Sequence, residues 1–305
     1  MVTSTRPSGS SLRAAGAAAL CVAAALGWGL GSRATAAAPP PPPGAPGPVP
    51  RVPLEVTGAT RIEYDDATKR WTFSGARVVV VRGTLRVEAP EIGYSERARE
   101  VVLPRGGTVR TPTLEVGADR LAALLDTRHV TAEGHVVGRF AGDGEPGGQR
   151  TRWGTFAADR VEADDRPDLH QIVATGQVVV DQGDRRLRGD RIAYDPGTQQ
   201  GIAEGHAEVA QGSDALRAER ISADLGRHDA AADGDVLLDH GEVHGSADHA
   251  TYTEVGQTAV LWGHARLLRG RDTLTAERVT VLLGEDAVIG EGHVRVVAYP
   301  EEPAP

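Results

Sequence analysis

Sulfur is nearly absent from this chain: one cysteine, Cys21, and one methionine, Met1, stand among 305 residues. Cys21 lies inside an apolar N-terminal run, so a chain that loses this run has no thiol left. Disulfide staples and thiol chemistry then drop out, and the fold has to stand on its own core. Aromatic residues make up only 4% of the chain, so Val, Leu, Ile and Ala must fill the interior. A basic stripe is also missing. The net charge is −9 with both signs mixed along the sequence, which argues against nucleic acid as a partner. No phosphate loop, CxxC, HExxH or Ser/His/Asp arrangement is present, and no cofactor motif. Outside the N-terminus no window has helical periodicity. These absences leave an all-β chain with no evident catalytic group.

The N-terminus reads as an export segment, separate from the fold. Arg6 and Arg13 form a positive n-region, residues 14–30 carry no charge, and Ala34-Thr35-Ala36 gives a small-x-small cleavage signature. Residues 1–38 read as a secretory signal peptide. The alternative is a retained inner-membrane anchor, because the 17 uncharged residues 14–30 approach a spanning length. Leu20 is the wrong residue before Cys21 for a lipobox. Residues 39–53 are rich in Pro, Gly and Ala and form an extended tether. The folded part is expected over residues 54–299, with a frayed tail at 300–305.

What is present is a repeat. Gly176, Gly205, Gly234, Gly263 and Gly292 stand 29 residues apart, and Gly183, Gly212, Gly241 and Gly270 keep the same interval. An acid-base pair after a small residue recurs in phase: Ala158-Asp159-Arg160, Gly189-Asp190-Arg191, Ala218-Glu219-Arg220, Ala247-Asp248-His249 and Ala276-Glu277-Arg278. Such a unit cannot bury its apolar face alone and must stack on its neighbours. Each unit holds two strands and two turns, for example residues 187–194 and 199–209 with Asp195-Pro196-Gly197-Thr198 between them. Second turns at Gly226, Gly256 and Gly284 follow the same phase. Short turns imply antiparallel neighbours. The 42-residue interval from Gly134 to Gly176 has its excess in residues 141–152, which read as a surface loop. About seven units, or roughly fourteen to sixteen strands, result.

Alternation gives the faces. Two and four residues past each first-series glycine the chain is apolar: Val178 and Val180, Ala207 and Val209, Val236 and Leu238, Ala265 and Leu267, Val294 and Val296. The residues between are mostly polar, such as His206, Glu208, His264 and Arg266. Past the acid-base pairs the apolar parity flips, as Leu187 and Gly189 against Ile192 and Tyr194 show. A flip at one phase in every unit means a bulge or corner. Strands bent there contribute to two facing sheets around an aliphatic interior.

The candidate sites are weighed by the same parity. The Asp/Glu-Arg pairs read as a ladder of surface ion pairs at the corner, because an enzyme needs one special constellation rather than five equal ones. His135, His206, His264 and His293 share the wet phase, and the spacing of His240 and His244 has no meaning on a strand, so no metal site is expected. The dry face is the candidate site. Its small aliphatic residues leave room for an apolar groove suited to acyl chains, each buried CH2 contributing about 0.8 kcal/mol. The lining expected for lipid binding is Val178, Val180, Ile192, Val209, Ile221, Val236, Leu238, Val279 and Val281.

The motif L-x-[AG]-[DE]-[RK]-hydrophobic-x-hydrophobic followed by A-x-G-x-V-x-V resembles the OstA/LptA family of lipopolysaccharide-transport proteins. The nearest copy runs from Leu187-Arg188-Gly189-Asp190-Arg191-Ile192-Ala193-Tyr194 to Ala203-Glu204-Gly205-His206-Ala207. The resemblance implies a twisted β-jellyroll that cradles lipid A acyl chains in the periplasm. It implies a bridge between an inner-membrane transporter and an outer-membrane translocon, with LptC-like and LptD-like jellyroll domains joined by edge-strand addition and head-to-tail self-association as a further arrangement. The edges would be the strands near residues 54–64 and 290–298. A retained anchor would instead resemble the LptC component. Two other readings remain at this level. One is an exported structural β-solenoid or filament without a lipid ligand. The other is a β-helix carbohydrate enzyme, which needs a carboxylate cluster that the evenly spread acids do not form.

Overall fold

The computed structural model describes residues 54–111, 114–124, 129–141, 153–166, 169–195, 198–224, 227–253, 256, 258–282 and 287–299. The leader, the tether, loop residues 142–152, the tail and the turn residues Pro196, Gly197, Gly226 and Gly284 lie outside this set. Among the described residues every regular element is a strand. These are β1 (Glu55–Thr57), β2 (Arg61–Asp65), β3 (Arg70–Arg82), β4 (Leu85–Ser95), β5 (Glu100–Leu103), β6 (Gly107–Arg110), β7 (Leu114–Ala118), β8 (Arg120–Leu124), β9 (His129–Ala141), β10 (Trp153–Arg166), β11 (Leu169–Gln182), β12 (Arg185–Asp195), β13 (Gln200–Gln211), β14 (Asp214–Asp224), β15 (Asp229–His240), β16 (Val243–Thr253), β17 (Thr258–Arg269), β18 (Asp272–Leu282), β19 (Ala287–Glu291) and β20 (Arg295–Val297).

Twenty segments exceed the expected fourteen to sixteen strands. The excess arises at the corners. β1 with β2, β5 with β6, β7 with β8 and β19 with β20 are the halves of single strands that break where the others only bulge. Between β5 and β6 lie Pro104, which has no N–H to donate to a ladder, and Gly106, at φ 73°. Joined across their corners, the segments make sixteen strands.

Neighbours pair antiparallel in chain order from β9 through β18, and each pairing slips once. The slip has one cause. On β13, Gly205 and His206 stand opposite Asp190 of β12 on one side and Glu219 of β14 on the other, two residues against one. Gly205 and His206 both have positive φ, 70° and 50°. A Cβ on the equivalent Gly234 or Gly263 would lie 2.5 Å from the carboxylate of Glu219 or Asp248. Glycine is therefore required twice over at this phase, by its backbone angle and by the neighbouring acid, and the 29-residue beat is the footprint of this bulge. The second glycine series opens two-residue hairpin turns. Gly212-Ser213 sits between the paired Gln211 and Asp214, with Gly212 at φ 59°, as a type II′ turn demands.

The parity flip folds one hydrogen-bonded sheet into two facing halves. Contacts run between them. Gly245 lies in the half where β16 pairs Leu267, and Leu261 in the half where β17 pairs Ala250. A Cβ on Gly245 would nonetheless meet Leu261 Cδ1's sister atom Cδ2 at 3.1 Å. Gly290 and Leu274 approach in the same way, at 3.3 Å. Among the described residues no pairing joins β1 or β2 to β19 or β20, so the jellyroll has two free edges.

Candidate functional site

The interior between the two halves is aliphatic, and repeat geometry sets its width. Equivalent positions on the two halves read Leu187 with Ala203, Leu216 with Ala232, Gly245 with Leu261, and Leu274 with Gly290. A large residue on one half meets a small one on the other, and the order reverses in the third pair. In the last two pairs the leucine lies 3.1 and 3.3 Å from where a Cβ on the facing glycine would stand, so the small residue leaves room for the large one.

Of the nine residues expected to line a lipid site, Val178, Val180, Ile192, Val209, Ile221, Val236 and Val279 are at most 5% exposed, and Leu238 and Val281 are half-buried. The structure brings them together incompletely. The first six belong to one apolar cluster running from Val78 to Val236. Val279 and Val281 belong to a second with Ala247, Leu261, Ala265 and Ala276. Leu238 lies beside the Cβ position of Gly245, between the two groups, and Ala250 packs against both. The buried polar side chains among the described residues, Ser95, Gln182 and Asp214, stand at strand ends. Neither cluster contains an ionisable group other than Tyr194 and the partly buried Tyr252.

Sequence reasoning overlooked two interior residues, Phe140 and Phe156. They are 2% and 5% exposed. Phe140 of β9 pairs directly with Gly154 of β10, and Phe156 pairs with Gly138. Each ring occupies the space a Cβ on the opposite glycine would need. The signal was legible as two G-x-F triplets, Gly138-Arg139-Phe140 and Gly154-Thr155-Phe156, which form reciprocal aromatic-glycine pairs.

The acid-base ladder differs from its expected form. The two members of a pair do not bond each other. The acid turns to the histidine behind the facing bulge glycine: Asp119 to His135 Nδ1 at 2.6 Å, Asp190 to His206 at 3.0 Å, Asp248 to His264 at 2.8 Å and Glu277 to His293 at 2.5 Å. The base reaches an acid on the next strand, as Arg191 Nη1 donates to Glu204 at 2.8 Å and Arg160 donates to Glu133. The Asp119 hydrogen bond raises the His135 pKa. These groups are exposed, and the ladder fixes the corner geometry rather than gathering a reactive centre. Among the described residues no group of three or more His, Cys, Asp or Glu side chains could hold a metal ion.

The outer face carries a second row. Along one cross-strand line lie Val179, Arg188, Glu208, Arg217, Leu237, Ser246, Arg266, Thr275 and Arg295. In its middle Arg217 bonds both Glu208, at 3.2 Å, and Asp239, at 2.7 Å. Asp239 also accepts from His244 Nδ1 at 2.8 Å. That bond first, and Arg217 after it, hold the Asp239 carboxyl below its ordinary pKa against the opposing effect of burial.

The two edges differ in dress. At the first, β1 and β2 pair with β3 alone; Tyr64 packs tilted against Trp71 at a centroid distance of 4.5 Å, and Trp71 stacks on Phe73 at 6.2 Å. At the last, β19 and β20 pair with β18 alone. Val288, Ile289, Val294, Val296 and Val297 are all exposed there. Val294 and Val296 have inward parity, but among the described residues no further strand covers them.

Comparison with known proteins adds a family. Residues 156–286 match the family described as LptA/(LptD N-terminal domain) LPS transport protein. No curated protein matches the chain. Among solved structures the chain is similar to LptH from Pseudomonas aeruginosa, described as the LptA homologous periplasmic component of the conserved lipopolysaccharide transport device. That likeness has 14% identity and a TM-score of 0.23, over 50% of this chain and 83% of that one.

Proposed function

Residues 156–286 belong to the LptA/LptD N-terminal family of lipopolysaccharide transport proteins, and from that premise we propose that this chain is a non-enzymatic periplasmic carrier that binds lipopolysaccharide by its acyl chains. The observation that carries the reading is the long aliphatic interior between two halves of one bent sheet, with polar side chains kept to the strand ends. Val178, Val180, Ile192, Val209, Ile221, Val236, Leu238, Val279 and Val281 are the proposed acyl contacts. All but the half-buried Leu238 and Val281 are closed to water here, so the halves must part to admit a chain. Each methylene then buried contributes about 0.8 kcal/mol toward opening the halves. The free edges would join jellyroll domains of LptC-like and LptD-like partners, or further copies, by strand addition, so that the interiors run on from one protein to the next. Signal residues 1–38, tether 39–53 and a jellyroll of about seven units over 54–299 belong to the same proposal.

The packed interior is also what a structural solenoid without a lipid ligand would show. Native mass spectrometry of the delipidated protein with added lipopolysaccharide separates the two. The carrier reading expects a protein-lipopolysaccharide adduct. A folded protein that gains no such mass supports the structural solenoid instead.

A further inference from the structure

The outer-face row ends unlike it begins. Where the middle of the row reads Arg188, Glu208, Arg217, its end reads Arg266, Thr275, Arg295 in consecutive cross-strand pairs. A threonine stands where an acid would neutralise two flanking arginines. Around it opens a hollow of about 380 Å³ lined by Arg266, Arg271, Thr273, Thr275, Arg295 and Tyr299, with Val297 beside them. Among the described residues no ion pair is formed by Arg266, Arg271 or Arg295. The nearby acid, Asp272, accepts the backbone N–H of Tyr299 at 2.8 Å. Tyr299 in turn lies under the Arg271 guanidinium at 4.8 Å from the ring centroid. Stacking of this kind steadies a guanidinium while its in-plane donors stay available.

Three such guanidiniums and the Thr273 hydroxyl around one hollow match a tetrahedral oxyanion, which offers several acceptor oxygens and a full negative charge; the Thr275 hydroxyl donates instead to the Arg295 carbonyl at 3.5 Å. The position adds a second clue. β20 is a border between chemistries: Val294 and Val296 stand exposed on the interior parity, while Arg295 faces the hollow on the other side. An amphiphile at this edge would meet aliphatic surface and cationic surface across the thickness of one strand.

We propose that this hollow is a phosphate-binding site at the C-terminal edge, where it receives a phosphate group of an anionic lipid headgroup whose chains meet Val294 and Val296. The lipid source rests on the carrier reading above, and the anion chemistry rests on the arginines.

The test measures binding of the full chain to lipopolysaccharide, to enzymatically dephosphorylated lipopolysaccharide and to inorganic phosphate. Variants are the Arg266→Ser/Arg295→Ser double and, as a control on the compensated part of the row, Arg217→Ser, whose guanidinium bonds Glu208 and Asp239. Loss of the phosphates should weaken wild-type and Arg217→Ser binding about tenfold, the scale of one charge-assisted contact, and leave the double variant unchanged. Arg295→Lys, which keeps the charge without the planar fork, should fall between. Equal wild-type affinity for both lipids overturns the headgroup site while leaving the carrier reading intact. If no lipopolysaccharide binds at all, the carrier reading fails and the phosphate arm decides. Saturable phosphate binding that the double variant loses would keep the anion site with free phosphate as its source. Phosphate binding that the double variant retains, or none, overturns the site.

Discussion

The middle of the jellyroll and its C-terminal end are built from the same repeat, yet they solve opposite problems. In β12–β15 a neighbour on each side covers the interior residues, and Arg217 of the outer row bonds both Glu208 and Asp239. In β18–β20 the last neighbour is missing. Residues of the same inward parity, such as Val296 at 63% exposed, are left bare, and the outer arginines meet a threonine. The comparison teaches that the repeat encodes a strand pair, while stacking supplies the burial. An end of the stack is therefore reactive toward whatever can cover it, as unpaired edges generally are.

The largest expected effect breaks the comparison directly. Ile221→Ala removes side-chain volume from a fully buried position and should cost about 3 kcal/mol in urea unfolding. Val296→Ala should cost less than about 0.5 kcal/mol. Similar costs at both sites would mean that the end is as packed as the middle.

Next comes the size exchange across the interior. Gly245→Leu alone should overpack against Leu261 and cost about 1–3 kcal/mol. Adding Leu261→Ala restores the large-small order of the preceding units, and the double variant should recover at least about 1 kcal/mol by a thermodynamic cycle. Additive costs would show that the two halves do not touch at this level.

The bulge and turn glycines sharpen the account of the beat. Gly212→Ala meets no atom within 4 Å and should cost about 1 kcal/mol for its left-handed backbone. Gly263→Ala adds the clash with Asp248 and should cost more, about 2–3 kcal/mol. Equal costs would remove the carboxylate from the explanation.

Smaller effects are electrostatic. Thr275→Glu would copy the Arg-Glu-Arg row of the middle into the end and should stabilise by a few tenths of a kcal/mol. The Asp239 carboxyl has its folded pKa lowered, so its contribution is present above its unfolded pKa and fades as pH falls through the folded one. With solvent screening that contribution is less than about 1 kcal/mol. Asp239→Asn should therefore narrow the stability loss between neutral and acid pH, read from thermal unfolding at each pH.

Much of this architecture was legible in the sequence because a period of two exposes every strand face, and the flip after each acid-base pair exposed the corner. Val178, Val209, Ile221 and Val236 were placed inside by parity alone. The misses have physical causes. Parity cannot report which strand lacks a neighbour, so Val294 and Val296 read as interior although both are exposed. Nor can it say across which gap a side chain bonds. Asp190 stands next to Arg191 in sequence, yet it bonds His206, because the β13 bulge sets Gly205 and His206 opposite it while Arg191 meets Glu204 of the same strand. The Phe140 and Phe156 pairs escaped because they fall outside the 29-residue phase, flanking the one long insertion.

The most direct test of the central claim places a photocrosslinking residue at Ile221 or Val236, on the interior face, and at Glu208, on the outer face, in living cells. The account predicts lipopolysaccharide adducts at Ile221 and Val236 and none at Glu208. Adducts confined to Glu208 would contradict it.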